Sequence, residues 1–489
     1  MNTTRLPLTL IAATALPLLA ACAIGPDYHR PDAPLPQAYK EDQGWQHAQP
    51  QDAAPRGAWW TVFGDATLDA LEQQAATASL TLAQAEAQYR QAQAQLQIAR
   101  AGLVPTLGAD ASASRSHGAA NTQTGAAGRT VNQFSAGLNA SWELDLWGRV
   151  RRTVEAQRAN AEASAADLES ARLSLQAQLA QTYFQLRVTD EQRRLYDDTV
   201  AANQRALQLT QNQHAVGVAA KADVVQAQTQ LATAQAQALD VQSQRAQLEH
   251  ALAVLVGKTP AEFSLAPQPL PDNAVPPAAP AGVPSTLLQR RPDIAAAERR
   301  VAAANAQIGV AETAYFPTLT LSASGGFQNS STADWFTLPN RVWSLGPQLA
   351  LTLFDGGARR AQTAQAQAAY DGTVAAYRQT VLTAFQEVED NLAQLRVLEQ
   401  ESQVQTQAVA LAQESLQLAT NQYKAGTVSY LNVVSAQNAA LAAQRSALSV
   451  LNTRLAASVG LIKALGGIWD ADTTASAAPG DATRSGPSP

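Results

Sequence analysis

The run Phe134-Ser-Ala-Gly-Leu138-Asn-Ala-Ser-Trp142-Glu-Leu144-Asp-Leu146 decides how this chain of 489 residues is read. Phe134, Ala136, Leu138, Ala140, Trp142, Leu144 and Leu146 share one parity and are all apolar. Ser135, Gly137, Asn139, Ser141, Glu143 and Asp145 share the other and are polar or small. Alternation sustained over more than ten residues is the pattern of a β-strand held between lipid and water. A sheet packed on a protein core would also alternate, but small polar residues along one whole face are unlike a core. The pattern returns three times. Leu107, Ala109, Ala111 and Ala113 stand against Asp110, Ser112 and Ser114. Leu319, Leu321, Ala323 and Phe327 stand against Thr320, Ser322, Ser324 and Gln328. Leu345, Leu349, Leu351 and Leu353 stand against Ser344, Gln348 and Thr352.

Four strands cannot close a barrel, and an open sheet edge cannot exist in lipid, where no water satisfies its backbone groups. The chain is therefore expected to oligomerise. Two copies would give eight strands, whose interior side chains fill. Three give twelve and leave room for a water-filled channel.

The strands belong to an internal repeat with an offset near 210 residues. Asn212-Gln213-His-Ala-Val-Gly217 lines up with Asn421-Gln422-Tyr-Lys-Ala-Gly426, and Val224-Val225 with Val433-Val434. Val104-Pro105-Thr106-Leu107 matches Phe316-Pro317-Thr318-Leu319. Each half reads as helix, two strands, long helix, tight turn, helix. The long helices, about 149–212 and 357–424, contain no proline and run roughly 100 Å at 1.5 Å per residue. Apolar residues at spacings of three and four, such as Leu175 and Leu179, fit coiled-coil seams. The expected layout is a signal peptide over 1–21, an extended lipidated segment over 22–64 and a first repeat over 65–266. A Pro-rich linker over 267–284, a second repeat over 285–468 and a disordered tail over 469–489 follow. Residues 117–130 and 329–341 are then the turns on the far side of the membrane. Trp142, Trp147 and Trp343 suit either a membrane interface or burial between helices.

The first segment is an address. Arg5 supplies a positive start, Leu6 to Leu19 an apolar stretch, and Ala20-Ala21 the small residues of a cleavage site. Leu19-Ala20-Ala21-Cys22 resembles the bacterial lipobox, in which the cysteine becomes the acylated first residue.

The single cysteine excludes a disulfide framework, and five scattered histidines offer no ligand spacing. Neither a metal site nor any cofactor is expected. A net charge of −6 argues against nucleic acid as a partner. Gly257-Lys258-Thr259 resembles the end of a phosphate-binding loop, but Leu252 stands where the first glycine belongs and Pro260 follows. No enzyme is expected.

Other stretches carry a specific resemblance. Cys22-Ala-Ile-Gly25-Pro26-Asp27-Tyr28-His-Arg-Pro31 is similar to the mature start of the lipoprotein branch of the TolC/OprM outer-membrane efflux factors. So are Leu287-Leu288-Gln-Arg290-Arg291-Pro292-Asp293-Ile294 and the junctions Leu144-Asp145-Leu146-Trp147-Gly148-Arg149 and Phe354-Asp355-Gly356-Gly357. The resemblance implies a membrane β-barrel of twelve strands on an α-helical coiled-coil tunnel, built by a homotrimer in the outer-membrane lipid. It implies a trimeric exit duct that docks a periplasmic adaptor protein and an inner-membrane transporter to export drugs or other toxic compounds. Heavy-metal efflux and type I protein secretion stay open as cargo classes, and a coiled-coil surface lipoprotein is the rival from another class. The resemblance also places a constriction at the first turns of the inner helices, here Asp223, Asn432 and Ser435. Asp223 has a second reading, as a carboxylate favoured by the positive end of its helix. Tyr423 and Tyr430 are expected to help hold the second hairpin closed.

Metabolic labelling with palmitate should mark the wild-type protein and leave Cys22→Ser unmarked. Label on the variant would overturn the anchor.

Overall fold

The computed structural model describes residues 23–32, 40, 57–118, 129–268, 270 and 291–467. Cys22, the signal segment, the tail and most of the inter-repeat linker lie outside the described residues. The elements run α1 (Ala66–Ala78), α2 (Leu80–Ala101), β1 (Thr106–His117), β2 (Thr130–Leu144), α3 (Arg149–Ala215) and α4 (Lys221–Leu255). Then come α5 (Pro292–Thr313), β3 (Thr318–Asn329), β4 (Arg341–Ala350), α6 (Ala358–Lys424) and α7 (Tyr430–Ala464). The two long helices have 67 residues each. The chain forms two compact units, and each takes residues from both repeats.

The first unit covers residues 1–33, 87–166 and 295–379. Its sheet is antiparallel in the order β1-β2-β3-β4, so β1 and β4 are its edges. The register lays the apolar parities on one face, since Leu107 pairs with Ala140, Ala140 with Ala323, and Ala323 with Leu345. The small polar residues share the other, as in Asn139, Ser324 and Ser344. No position of β1 is buried. Leu345 and Leu349 are each 66% exposed, which water alone would penalise and lipid would not. The fourth strand ends at Ala350, so Leu351 and Leu353 lie beyond the ladder although they continue its alternation.

At the helix end of the sheet each repeat turns from strand to helix in the same way. The Asp145 carboxylate accepts the amides of Val150 (3.0 Å) and Arg151 (2.9 Å), satisfying donors that α3 leaves free. Asp355 does the same for Gly357 and Arg359 (3.0 and 3.2 Å). Gly148 turns the chain at φ +85°, and a side chain there would press on Ala23. Residues 23–32 lie against this junction. Arg152 donates to the carbonyls of Ile24 and Gly25, Asn305 to that of Pro26, and Tyr28 to Glu298 Oε1 at 2.6 Å. A Cβ on Gly25 would lie 2.4 Å from the Gly309 Cα.

The second unit covers residues 34–86, 167–294 and 380–489. Trp59, Leu68, Leu179, Leu186, Leu252 and Ile462 anchor a core shared by α1, α3, α4 and α7. Each such side chain contributes about 1.5–3 kcal/mol by leaving water. Asp65 caps α1 through the amides of Thr67 and Leu68 and takes the Tyr183 hydroxyl at 2.5 Å. Asp190 joins Arg187 to Arg245, and these arginines hold the carbonyls of Ala266 and Leu265. Arg291 pairs with Asp293 and Glu387 and donates to the Ala464 carbonyl, while Pro292 opens α5. That Arg-Pro-Asp motif is thus a helix start.

Glu72 departs from this pairing of charges. Glu72 is 1% exposed, and neither of its oxygens has a hydrogen-bond partner among the described residues. Burial, with the Asp69 carboxylate adding to it, pushes the Glu72 carboxyl up to about 9 from its ordinary 4.5. The folded state then keeps a proton that the unfolded chain releases, so stability falls as pH rises from about 4.5 toward 9. Glu72→Gln should raise the thermal midpoint of the solubilised protein at pH 9 and change it little at pH 5. An equal shift at both would contradict a protonated Glu72.

Candidate functional site

The ends of the two helical hairpins are built alike. At the first, α3 closes with Gly217 at φ +79° and the Val218 amide on the Gln213 carbonyl at 2.8 Å. At the second, α6 closes with Gly426 at φ +75° and the Thr427 amide on the Gln422 carbonyl at 3.0 Å. This is the glycine helix stop in which one left-handed residue lets the following amides cover the last carbonyls.

Side chains break the symmetry. Tyr430 and Tyr423 pack with ring centroids 5.4 Å apart, inclined by 56°. Tyr430 is buried with Val433, Val434 and Ala227, against Ala206 and Leu207 of the first hairpin. The Tyr423 hydroxyl crosses to the first hairpin and donates to Gln213 Oε1 at 2.6 Å. That bond, with the packing of Tyr430, fastens the two hairpins at their ends. Burial raises the Tyr430 hydroxyl pKa above the usual phenol value, with Tyr423 adding to the effect, and that hydroxyl has no partner among the described residues.

The other expected mouth residues stay outside this contact. Asn432 and Ser435 are exposed on α7, while the neighbouring Val433 and Val434 are buried. Asp223 is half-buried and accepts the Ala220 amide at 3.2 Å, so its carboxylate caps the start of α4. Nothing local in the sequence marks Gln213. The signal that points to it lies in the repeat, where His214 and Tyr423 stand at one position and differ in size and chemistry.

The sheet supplies a wall. On its polar face, Ser112 and Ser135 hydroxyls meet at 2.7 Å, and Ser324 and Ser344 at 2.8 Å. Gly326 packs so closely that a Cβ would lie 2.3 Å from the Ala136 carbonyl oxygen. On the apolar face an aromatic cluster marks the hairpin end. Trp335 stacks on Phe336 at 4.9 Å and leans on Phe134 at 5.7 Å, and Phe336 meets Phe327 at 5.6 Å. At the helix end Trp142 donates to the Leu103 carbonyl and Trp147 to that of Pro317. Both are half-buried, whereas Trp343 is 73% exposed. Phe134 and Trp142 stand eight residues apart on one strand, about 26 Å, close to the height of an outer-membrane apolar band.

The model of the outer membrane efflux protein family matches residues 71–258 and 283–467, a block for each repeat. The chain belongs to that family. It is 35% identical over 464 residues to the toluene efflux pump outer membrane protein TtgC of Pseudomonas putida, covering 94% of this chain and 95% of that one. The pyoverdine export outer membrane protein OpmQ of Pseudomonas aeruginosa is also 35% identical, over 95% of this chain and 97% of its own. Among solved structures, the outer-membrane channel OprN superposes with a TM-score of 0.83 at 31% identity, covering 92% of this chain and 100% of that one. The chain is an efflux channel subunit of the outer membrane, and three copies close its four strands into a twelve-stranded barrel in a channel that also has a helical tunnel.

Tyr423→Phe keeps the ring packing and removes the bond to Gln213. Single-channel recording in planar bilayers should show the open fraction rise roughly fivefold for a bond of about 1 kcal/mol. Gln213→Ala should do the same, and the double variant no more than either. Unchanged gating in all three would remove the fastening.

Proposed function

We propose that this channel is the exit duct of a tripartite pump that carries small toxic organic compounds out of the cell. A periplasmic adaptor protein and an inner-membrane transporter load it, and lipid on Cys22 anchors it. The two repeats and the segments around them divide as the sequence pattern suggests, with 22–64 serving as the lipidated leader. The Tyr423–Gln213 bond carries the reading, because a duct that stayed open would leak, and this contact ties the hairpins where a docking partner can reach them. Val216 and Val218 at the first tip are 75% and 74% exposed, an apolar surface suited to such a partner. Two relatives of equal identity, named for toluene and for pyoverdine, support an organic cargo and leave its choice to the transporter.

In this reading Asp223 forms a threefold ring at the mouth, with Asn432 and Ser435 leaving the second half uncharged. Three carboxylates attract cations, so one ring gives a modest cation preference. Asp223→Ala should reduce that preference and Asn432→Asp should strengthen it. The cargo is tested in a host lacking the gene. Such cells should accumulate a hydrophobic dye, and restoring the chain with its adaptor and transporter should clear it. Accumulation that is the same with and without the chain would end the proposal.

A further inference from the structure

The outward face of the sheet is apolar along its length, yet it ends in arginine. Register puts Arg115 of β1 opposite Asn132, two positions past the pair Ala113–Phe134, on the lipid-facing side. Arg341 opens β4 opposite Phe327, itself opposite Ala136, on that same side. Both are exposed. Among the described residues neither forms an ion pair. Charge at this end is one-sided. Residues 111–142 contain Arg115 and Arg129 and no Asp or Glu, and residues 313–354 contain Arg341 and a single acid, Asp334. A chain of net charge −6 thus presents a cationic rim in one place.

Two further observations fix what meets that rim. The first is depth. Phe327 belongs to the aromatic cluster with Trp335 and Phe336, and aromatic rings of outer-membrane barrels sit at headgroup level. Arg341, directly opposite Phe327, shares that level, and Trp343 lies two residues below it on the same face. The second is the seam. Since β1 and β4 are the sheet edges, closure of the barrel sets β4 of one copy beside β1 of the next. Arg115 and Arg341 then come from different copies to the same boundary, and a trimer has three such boundaries. Guanidinium groups bind phosphate in bidentate fashion, and a pair of them suits a doubly charged headgroup.

We propose that the hairpin end of each subunit boundary binds the phosphate headgroup of an anionic outer-leaflet lipid between Arg115 of one copy and Arg341 of the next. The acyl chains lie along the apolar face below, over Leu107 and Leu345, which are 73% and 66% exposed. The site goes beyond the transport function and rests only on closure of the barrel. It would bridge neighbouring copies from outside, where lipid and protein meet.

The test is native mass spectrometry of the full-length solubilised trimer titrated with diphosphoryl lipid A. The wild type should take up three lipids in steps, and excess inorganic phosphate should not displace them. Arg115→Ala with Arg341→Ala should remain a trimer and lose roughly thirtyfold in affinity, while the paired Lys variants keep most of it. Equal uptake by the double Ala trimer, or equal uptake of fully dephosphorylated lipid A, would overturn the site. A double variant that no longer assembles is replaced by Arg341→Gln, whose affinity must then fall below that of wild type with the trimer intact. A trimer that conducts yet binds no lipid A would refute the site and leave the exit-duct reading standing.

Discussion

The structure depends on a single constraint, that a backbone amide facing lipid must already have its partner. Four strands joined in one sheet leave two edges, and hydrocarbon offers these nothing. Association is thus a condition of entering the membrane at all. The alternation of side chains follows from the same constraint. Once strands must close on themselves, one face looks at lipid and the other at water, and period-two sequence is what such a wall requires. The register carries this across the sheet, with Ala323 aligned to Ala140 on one side and Leu345 on the other.

Helices answer a different demand. In α3 and α6 the backbone satisfies itself along 67 residues, so the helical part of the chain needs no neighbour for its hydrogen bonds and its side chains are free for packing. The point of greatest difficulty is the change from one regime to the other. There the ladder has ended and the helix has not begun to pair its first amides. Asp145 and Asp355 fill the gap in both repeats, and residues 23–32 cover the same place with bonds from Arg152 and Asn305.

Much of this is legible in the residues themselves. Alternation around Phe134 and Leu345, the unbroken proline-free helices and the glycines of the tips are local properties, and local properties are written in local sequence. Whatever depends on two distant segments meeting is not. Gln213 looks ordinary until Tyr423, 210 residues away, is placed against it. Asp223 admits two readings because a carboxylate at a helix start is useful to the helix and to a pore alike, and its bond to the Ala220 amide is the first use. Asn432 and Ser435 stand where the resemblance puts the mouth but lack the aspartates of its pattern, and helix periodicity leaves them exposed, away from the side where Tyr430 and Val433 pack. The aromatic cluster at Trp335 escapes the sequence for a similar reason, since it is made by a turn folding back on two strands.

The serine pairs on the water-facing wall have a consequence for transit. Ser112 with Ser135, and Ser324 with Ser344, engage their hydroxyls with each other. Each pair still leaves one hydroxyl hydrogen and spare lone pairs to water, while small side chains give a passing molecule little relief in which to lodge. A wall of short, hydrated side chains in close register offers solutes of different shape much the same surface.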